Sequence, residues 1–404
     1  MRRAALLVLF LLLVCLCAPA CAQEARDITD GCTITGNGGK QFFRLHDGDY
    51  ATFYNMKNKN GILTIESPEE IRGLYIKLYD RLADYEVQVA DGEDWKTVAS
   101  GGKIYVDYFP LPEGTTKVRL AAAPTPNYFM RISELIVYSA GEIPESVQRW
   151  DILANADLML IVAHPDDELL WFAGFLPYDA GERGYAVQVA YLVPTGGVRK
   201  LELLDGLWHC GITHYPELMG FVDKRGSSLK NQYERWGESK VLARVITAIR
   251  RYQPEVLVTQ GEKGEYGHPA HKVAADASKR AFTMAANPES NPTSAAEYGV
   301  WQVKKLYLHE YEEGKIVFDW HVPLAAFGGK DAYTVAVEAL ACHASQVQRG
   351  WEMEDPGAHD NRVFGLYASK VGADTQGDIM ENIPEDQLST YVDDSPIHVE
   401  LTLN

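Results

Sequence analysis

Six apolar residues, Leu158-Met159-Leu160-Ile161-Val162-Ala163, run directly into His164-Pro165-Asp166-Asp167-Glu168. No other stretch constrains the fold as tightly. An unbroken apolar run of this length reads as a strand buried on both faces, as in the middle of a parallel sheet. Leu169-Leu170-Trp171-Phe172-Ala173-Gly174-Phe175-Leu176 then continues as a buried helix. The polar residues therefore occupy a strand-to-helix turn at the carboxyl edge of a sheet, where open α/β sheets bind ligands. His164 and Asp167, three positions apart, can converge on one cation, because imidazole nitrogen and carboxylate oxygen are both zinc donors. Asp166 is left free beside that cation. Helix capping by Asp166 or Asp167 competes with this reading. Capping accounts for one acid, not for a histidine and three acids on a buried edge.

The 404 residues are 46% hydrophobic and 23% charged, enough for two or three domains with full cores. The formal net charge of −18 argues against nucleic acid or an anionic membrane surface as partner. It leaves a neutral, sugar-like substrate open. Arg2 and Arg3 precede the apolar run Ala4 to Cys17, and Ala18, Ala20 and Ala22 follow. This is the charged, apolar and cleavage order of a secretory signal, so residues 1–22 are expected to be removed and the chain secreted or extracellular. Lipid attachment at Cys21, holding it at a cell surface, is the alternative. No other stretch is long and apolar enough to span a bilayer, so no transmembrane segment is expected. Beyond the signal, Cys32, Cys210 and Cys342 are far apart and odd in number, which is not a disulfide framework. Cys210 and Cys342 read as buried free thiols.

Residues 23 to about 30 are polar and read as a lead-in. Residues 30–141 carry short strands divided by turns, among them Gly73 to Tyr79, Asp84 to Val89, Lys117 to Leu120 and Ile132 to Tyr138. No helical period appears there, and the spacing predicts a β-sandwich. Residues 142–150 form a linker. From 151 to 370 strands alternate with helices, which predicts a parallel sheet with helices on both faces, a Rossmann-like α/β fold. Tyr185 to Val193 and Pro254 to Thr259 are buried strands, and Val303 to His309 is a further one. Helices are expected over Val198 to Cys210, Ser239 to Tyr252, Lys272 to Met284 and Tyr333 to Gln348, and a loop over Asn287 to Gly299. The acidic tail, 371–404, is weakly patterned.

The third strand leads into Gly264-Glu265-Tyr266-Gly267-His268-Pro269-Ala270-His271. Pro269 suits the first position of a helix, and the helix dipole there disfavours imidazolium, which would keep His268 and His271 neutral. Two histidines on the same sheet edge as His164 and Asp167 indicate a site rather than isolated structural residues. Three protein ligands leave a catalytic zinc one open position. A nearby carboxylate can act as general base and a facing histidine can serve the tetrahedral intermediate and departing amine. No serine-nucleophile motif is present.

The front strands resemble the discoidin, or galactose-binding-like, fold. There a strand such as Tyr85-Glu86-Val87-Gln88-Val89 precedes a Trp-containing hairpin (Trp95 to Ala99), then an arginine-bearing strand with Arg119 and a closing Ile132 to Tyr138 strand. The resemblance covers about 110 residues and is one of pattern. It implies either a carbohydrate-binding module or a packing partner.

The Ala163-His164-Pro165-Asp166-Asp167-Glu168 turn resembles the signature of the PIG-L/LmbE family of zinc-dependent N-acetylglucosaminyl deacetylases. The downstream Gly-Glu-Tyr-Gly-His-Pro-x-His segment, Arg199-x-x-Glu202 after Thr195-Gly196-Gly197, and His343-x-Ser345-Gln346 fit as well. The resemblance spans roughly residues 155 to 370. It implies zinc, or another divalent transition metal, bound by His164, Asp167 and His271. It implies Asp166 as general base, His268 as oxyanion stabiliser or proton donor, and Tyr266 as a mobile donor beside the oxyanion. Arg199 and Asp223 look like the sugar-contacting positions. One departure stands out: Ala270 replaces the acid usual between the two histidines, which touches rate and pH optimum but removes no ligand. The implied activity is removal of acetyl from an N-acetylated amino sugar or glycan. A glycan-binding protein with a silent hydrolase domain and a zinc hydrolase of another amide remain the rival functions.

Overall fold

A computed structural model describes residues 23–57, 60–80, 82–123, 129–194, 196–388 and 392–393. The expected signal segment with Cys21, and Thr195, lie outside the described residues. The front of the chain forms two antiparallel sheets. One has the order β1 (Thr33–Gly36), β3 (Ile62–Glu66), β8 (Lys117–Ala122), β5 (Tyr85–Asp91), β6 (Asp94–Gly101). The other is β2 (Tyr54–Asn55), β9 (Arg131–Tyr138), β4 (Gly73–Leu78), β7 (Val106–Pro110). Strand β3 alternates buried Leu63 and Ile65 with half-buried or exposed Ile62, Thr64 and Glu66, the period of a sheet with one face in a core. Those residues share a core with Leu74, Ile76, Phe109 and Val137 of the opposite sheet. Tyr85 joins the sheets, with its ring 6.0 Å from Phe109 and its hydroxyl donating to Asp107 Oδ2 at 2.7 Å.

Strand β4 is buried on both faces, because the back of its sheet is covered by the rest of the chain. Lys77 Nζ lies 2.6 Å from Asp205 Oδ1, and the Tyr50 hydroxyl donates to Asp205 Oδ2 at 2.6 Å. Buried Lys200 donates to the Tyr105 hydroxyl at 2.8 Å. Residues 23–30 are not a loose lead-in. Ala25 N donates to Glu142 O and Ile28 N to Val137 O, both at 2.8 Å, so this segment is laced to the end of the module.

The second part is a seven-stranded sheet of order β13-β12-β11-β14-β15-β17-β16. Its parallel strands are β11 (Leu158–Val162), β12 (Val187–Tyr191), β13 (Glu217–Leu218), β14 (Val256–Thr259) and β15 (Lys305–His309). The purely parallel expectation needs correction: β17 (Val363–Ser369) runs antiparallel to both β15 and β16 (Lys315–Val317). Residues 351–361 lie beside Trp171 at the carboxyl edge and feed directly into β17, so that strand has to run back. Helices α1 (Asp167–Phe172), α2 (Gly197–His209), α3 (Leu229–Trp236), α4 (Glu238–Tyr252) and α5 (Pro269–Met284) flank the sheet. The expected loop at 287–299 contains α6 (Pro292–Tyr298), started by Asn291, whose side chain accepts from Ser294 N. The single helix expected over 333–348 is two, α7 (Ala332–Ala341) and α8 (Ala344–Val347). The break at Cys342–His343 brings the buried His343 ring to Glu168, with Nε2 and Oε1 3.3 Å apart. Part of the acidic tail is fixed. Buried Lys305 donates to Ile379 O at 2.7 Å and Glu381 O at 2.9 Å, and Val392–Asp393 pairs with Ile152–Leu153. Cys32, Cys210 and Cys342 are free thiols. No helix among the described residues is long and apolar enough to cross a membrane.

Candidate active site

The turn after β11 is built by its own polar groups. Asp167 Oδ2 accepts from His164 N at 2.8 Å and from Gln260 Nε2 at 3.0 Å. Glu168 Oε2 accepts from Asp166 N at 2.9 Å. Asp166 sits at φ 113°, a region costly for any residue with a Cβ and a recurrent feature of functional turns. Its side chain makes no capping bond to α1, which disposes of capping as the reason for this acid. Instead Asp166 Oδ2 accepts from Arg199 Nη2 at 2.7 Å, and the same nitrogen donates to Pro165 O at 2.5 Å. Gln346 completes this bracket: its amide satisfies both neighbours when Nε2 faces Asp166 Oδ2 at 3.2 Å and Oε1 faces Arg199 Nε at 3.1 Å. Asp166 Oδ1 is left for another partner.

His268 and His271 enter from the first turn of α5, with Pro269 at its first position. His271 Nδ1 bonds Glu265 Oε2 at 2.7 Å. Glu265 is itself held by His309 Nδ1 at 2.7 Å and by Gly261 N at 3.1 Å. That fixes the far nitrogen of His271: Nε2 is fully buried, has no hydrogen-bond partner, and lies 3.3 Å from Asp167 Oδ1. His164 Nδ1 lies 3.3 Å from Asp167 Oδ2, and its Nε2 is 4.0 Å from Asp223 Oδ1. Asp223 Oδ2 is 3.9 Å from Arg199 Nη1. The rings of His164, His268 and His271 stand 4.6–5.3 Å apart, and one nitrogen of each lies within 4.8 Å of the others. Tyr266, at φ 43°, places its half-exposed ring 5.6 Å from His268 and 5.4 Å from His271. The eight residues singled out from the sequence thus surround one point at the sheet edge.

Two cation triads overlap here. The nitrogens of the three histidines converge, and Asp167 touches two of them. The His268 tautomer separates the possibilities. Its Nδ1 accepts from Ala270 N at 3.3 Å and caps α5, so the neutral ring carries its proton on Nε2 and is a donor toward the site. His164, Asp167 and His271 remain as the acceptor set.

The charges follow the geometry. Burial raises Asp166 to about 7, against the pull of Arg199 and with the push of Asp167. Burial also raises Asp167, but His271 and His164 outweigh it and hold this carboxyl well below the usual range. Burial, then His271 and His164, push His268 down to about 3. The expectation that the helix terminus keeps His271 neutral fails in the metal-free protein. Burial lowers that imidazole, yet Asp167 and Glu265 outweigh burial and carry it up to about 10. Two carboxylates in contact exceed the terminal dipole.

Residues 159–282 match the family described as PIG-L: GlcNAc-PI de-N-acetylase. This segment is similar to the PIG-L family. It contains β11, the His164 to Glu168 turn and the His268–His271 helix start. The chain is 28% identical over 178 residues to 1D-myo-inositol 2-acetamido-2-deoxy-alpha-D-glucopyranoside deacetylase 1 of Catenulispora acidiphila, covering 37% of this chain and 54% of that protein. It is 29% identical over 188 residues to the corresponding deacetylase of Streptomyces scabiei, covering 40% and 57%. The matched part of the chain thus spans little more than half the length of these relatives. Among solved structures it is similar to the N,N'-diacetylchitobiose deacetylase of Pyrococcus horikoshii, at 15% identity and a TM-score of 0.37, over 48% of this chain and 71% of that one.

Sequence reading missed the residues that hold the site histidines and Asp167 in place. Glu265 was visible only as an acid within the Gly-Glu-Tyr-Gly stretch, and nothing marked His309 or Gln260, at the ends of β15 and β14, as its companions. The signal available was position alone: polar residues closing buried strands at the carboxyl edge.

Proposed function

We propose that this chain is an exported, zinc-dependent deacetylase of N-acetylated amino sugars. The observation that carries the reading is the buried His271 Nε2, which has no hydrogen-bond partner and lies 3.3 Å from the Asp167 carboxylate beside His164. One nitrogen–oxygen–nitrogen set converging in a dry site suits a cation, and its open side suits catalytic zinc, which would take the place of the His271 Nε2 proton. His164, Asp167 and His271 would hold it. Zinc held there would supply Lewis acidity, lowering the pKa of a water and polarising an amide carbonyl.

The remaining steps belong to side chains. Asp166, turned by Arg199 and Gln346 so that Oδ1 is free, takes the proton of the attacking water as general base. His268 presents its Nε2–H as a hydrogen-bond donor to the oxygen on which charge develops, and Asp166, protonated in the first step, gives that proton to the departing amine. Tyr266, half exposed at the rim, supplies a second donor to that oxygen. Asp223, with half its side chain exposed, and the Arg199 guanidinium face the position of the sugar hydroxyls. Released products are acetate and the free amine.

We read the front module as a discoidin-like sandwich directed at carbohydrate. Support comes from its two facing antiparallel sheets and from the strand pattern around Trp95 and Arg119, whose guanidinium lies 4.3 Å from the indole ring. The β4 sheet is committed to packing against α2, so sugar contact falls to the opposite sheet and the loops. Export rests on residues 1–22.

The test is acetate release from a panel of N-acetylglucosamine conjugates beside other N-acyl amides, with zinc-loaded and chelator-treated protein. Zinc-dependent release confined to N-acetyl sugars supports the reading. Release from other amides alone redirects it to a different zinc hydrolase, and silence with stoichiometric zinc bound refutes the substrate class.

A further inference from the structure

Tyr266, the donor at the rim of the site, stands where a tyrosine is costly to place. Its backbone is left-handed, at φ 43° and ψ 27°, between Gly264 at φ 64° and Gly267 at φ 76°. Glycine reaches that region freely, whereas a residue with a Cβ is strained there and persists only when its surroundings hold it. The hold comes from a loop 93 residues away: Tyr266 N donates to His359 Nε2 at 2.9 Å. His359 Nδ1 in turn lies 2.9 Å from Glu310 Oε2. A neutral ring whose Nε2 accepts carries its proton on Nδ1, and the Glu310 carboxylate accepts from that N–H. Glu310 therefore selects the tautomer that can hold the Tyr266 amide.

The imidazole is framed on its other side by Trp171. The two rings meet edge-on, 5.4 Å apart at 86°, and Trp171 also stands 6.0 Å from the Tyr266 ring. Glu310 directly follows β15, and its own N donates to Val363 O at 2.9 Å. Its neighbour His309 links the same two segments one residue along, with Nδ1 2.7 Å from Glu265 Oε1 and Nε2 3.0 Å from Asp360 O. Two ties thus run side by side from the end of β15. The one through His309 and Glu265 backs His271. The one through Glu310 and His359 ends on Tyr266 rather than on a cation-holding residue.

We propose that His359, its tautomer set by Glu310, is a positioning residue for amide cleavage. By holding the Tyr266 amide it fixes where the phenol stands relative to the oxygen on which charge develops. Released from His359, Tyr266 can relax out of the left-handed region and carry its hydroxyl away from that oxygen. This inference rests on the deacetylase reading and on Tyr266 as a donor within it.

The experiment takes two readouts from the zinc-loaded full chain. Hydrogen–deuterium exchange at Tyr266 N, followed in peptides over 261–267, needs no substrate. It should quicken about tenfold in His359→Ala, the scale of one hydrogen bond, and stay near wild type in His359→Gln, whose Oε1 can replace Nε2 as acceptor. The second readout is steady-state acetate release from the β-1,4-linked disaccharide of N-acetylglucosamine. In His359→Ala kcat should fall about three- to tenfold, with KM and zinc content within about twofold of wild type, and His359→Gln should recover it. Placed on Tyr266→Phe, which lacks the hydroxyl, His359→Ala should cost less than about twofold more. Unchanged exchange in His359→Ala, no recovery in His359→Gln, or the same loss with and without the Tyr266 hydroxyl overturns the proposal. Failure of the wild-type chain to release acetate counts against the deacetylase reading instead, and the exchange comparison still decides whether His359 holds Tyr266.

Discussion

Replacing Glu265 by Gln tests the support of the cation site without touching a ligand. Glu265 is fully buried and accepts three hydrogen bonds, from His271 Nδ1 at 2.7 Å, His309 Nδ1 at 2.7 Å and Gly261 N at 3.1 Å. Burial raises its carboxyl, but the bonds from His271 and His309 outweigh burial and keep it ionised far below the usual range. Glutamine has nearly the same shape but one acceptor oxygen, so one imidazole meets an amide N–H₂ instead. A hydrogen bond to a charged group is worth about 1.5–3 kcal/mol. Outer-shell carboxylates of this kind change metal affinity about 10–100-fold, or ~1.4–2.7 kcal/mol. The two ranges overlap. Zinc Kd in Glu265→Gln is therefore expected to rise about 10–100-fold, with the fold retained. Competition against a chromophoric chelator at fixed pH measures it, and circular dichroism of the metal-free variant checks the fold. A Kd within about twofold of wild type would refute the view that Glu265 sets the His271 tautomer for the cation.

Three further outcomes follow from the same geometry. Arg199→Met removes the guanidinium that holds Asp166. Because misplacing a reacting group by about 1 Å can cost ~100-fold, acetate release should drop by that order with zinc content unchanged; loss of zinc would contradict the assignment. Burial raises Asp179 to about 7, Arg183 opposing and Asp378 adding to the push. A raised folded-state value means a proton kept on folding, so this stability is present below about pH 4 and lost as pH rises through about 7. Thermal melts of Asp179→Asn between pH 5 and 8 should therefore show a shallower fall than wild type, and parallel curves would refute the assignment. Lys77→Met leaves Asp205 with two neutral donors, the Tyr50 hydroxyl and the Gln148 amide, and no cation, and loss of one partner of a buried ion pair costs about 3–5 kcal/mol. Its melting temperature should drop by several degrees, and an unchanged value would show that this contact does not hold the two parts together.

Period and punctuation made much of this structure legible. β11, β14 and β15 are short apolar runs ending in polar edges, and the turn residues after them fall where the site lies. Pro269 marked the start of α5 because its missing N–H costs nothing there. What stayed hidden depended on contacts distant in sequence. Strand β17 carries no sign of its direction, which is set by where residues 351–361 leave the chain. The break at Cys342–His343 answers to Glu168, about 175 residues earlier. Helix α6 was masked by its Pro and Asn content, although Asn291 and Pro292 are a capping residue and a first-turn proline in the order that starts a helix. The His271 charge was misjudged because the dipole is local and visible in sequence, whereas Asp167 arrives from another strand.

The most direct test of the account compares Asp166→Asn with Asp167→Asn, reading bound zinc and acetate release from the same preparations. The account assigns adjacent acids to different tasks. Asp166→Asn should keep one zinc per chain and lose about 100- to 10,000-fold in acetate release, the usual contribution of a general base. Asp167→Asn should lose the zinc itself. Zinc lost from the Asp166 variant and kept by the Asp167 variant would contradict the account.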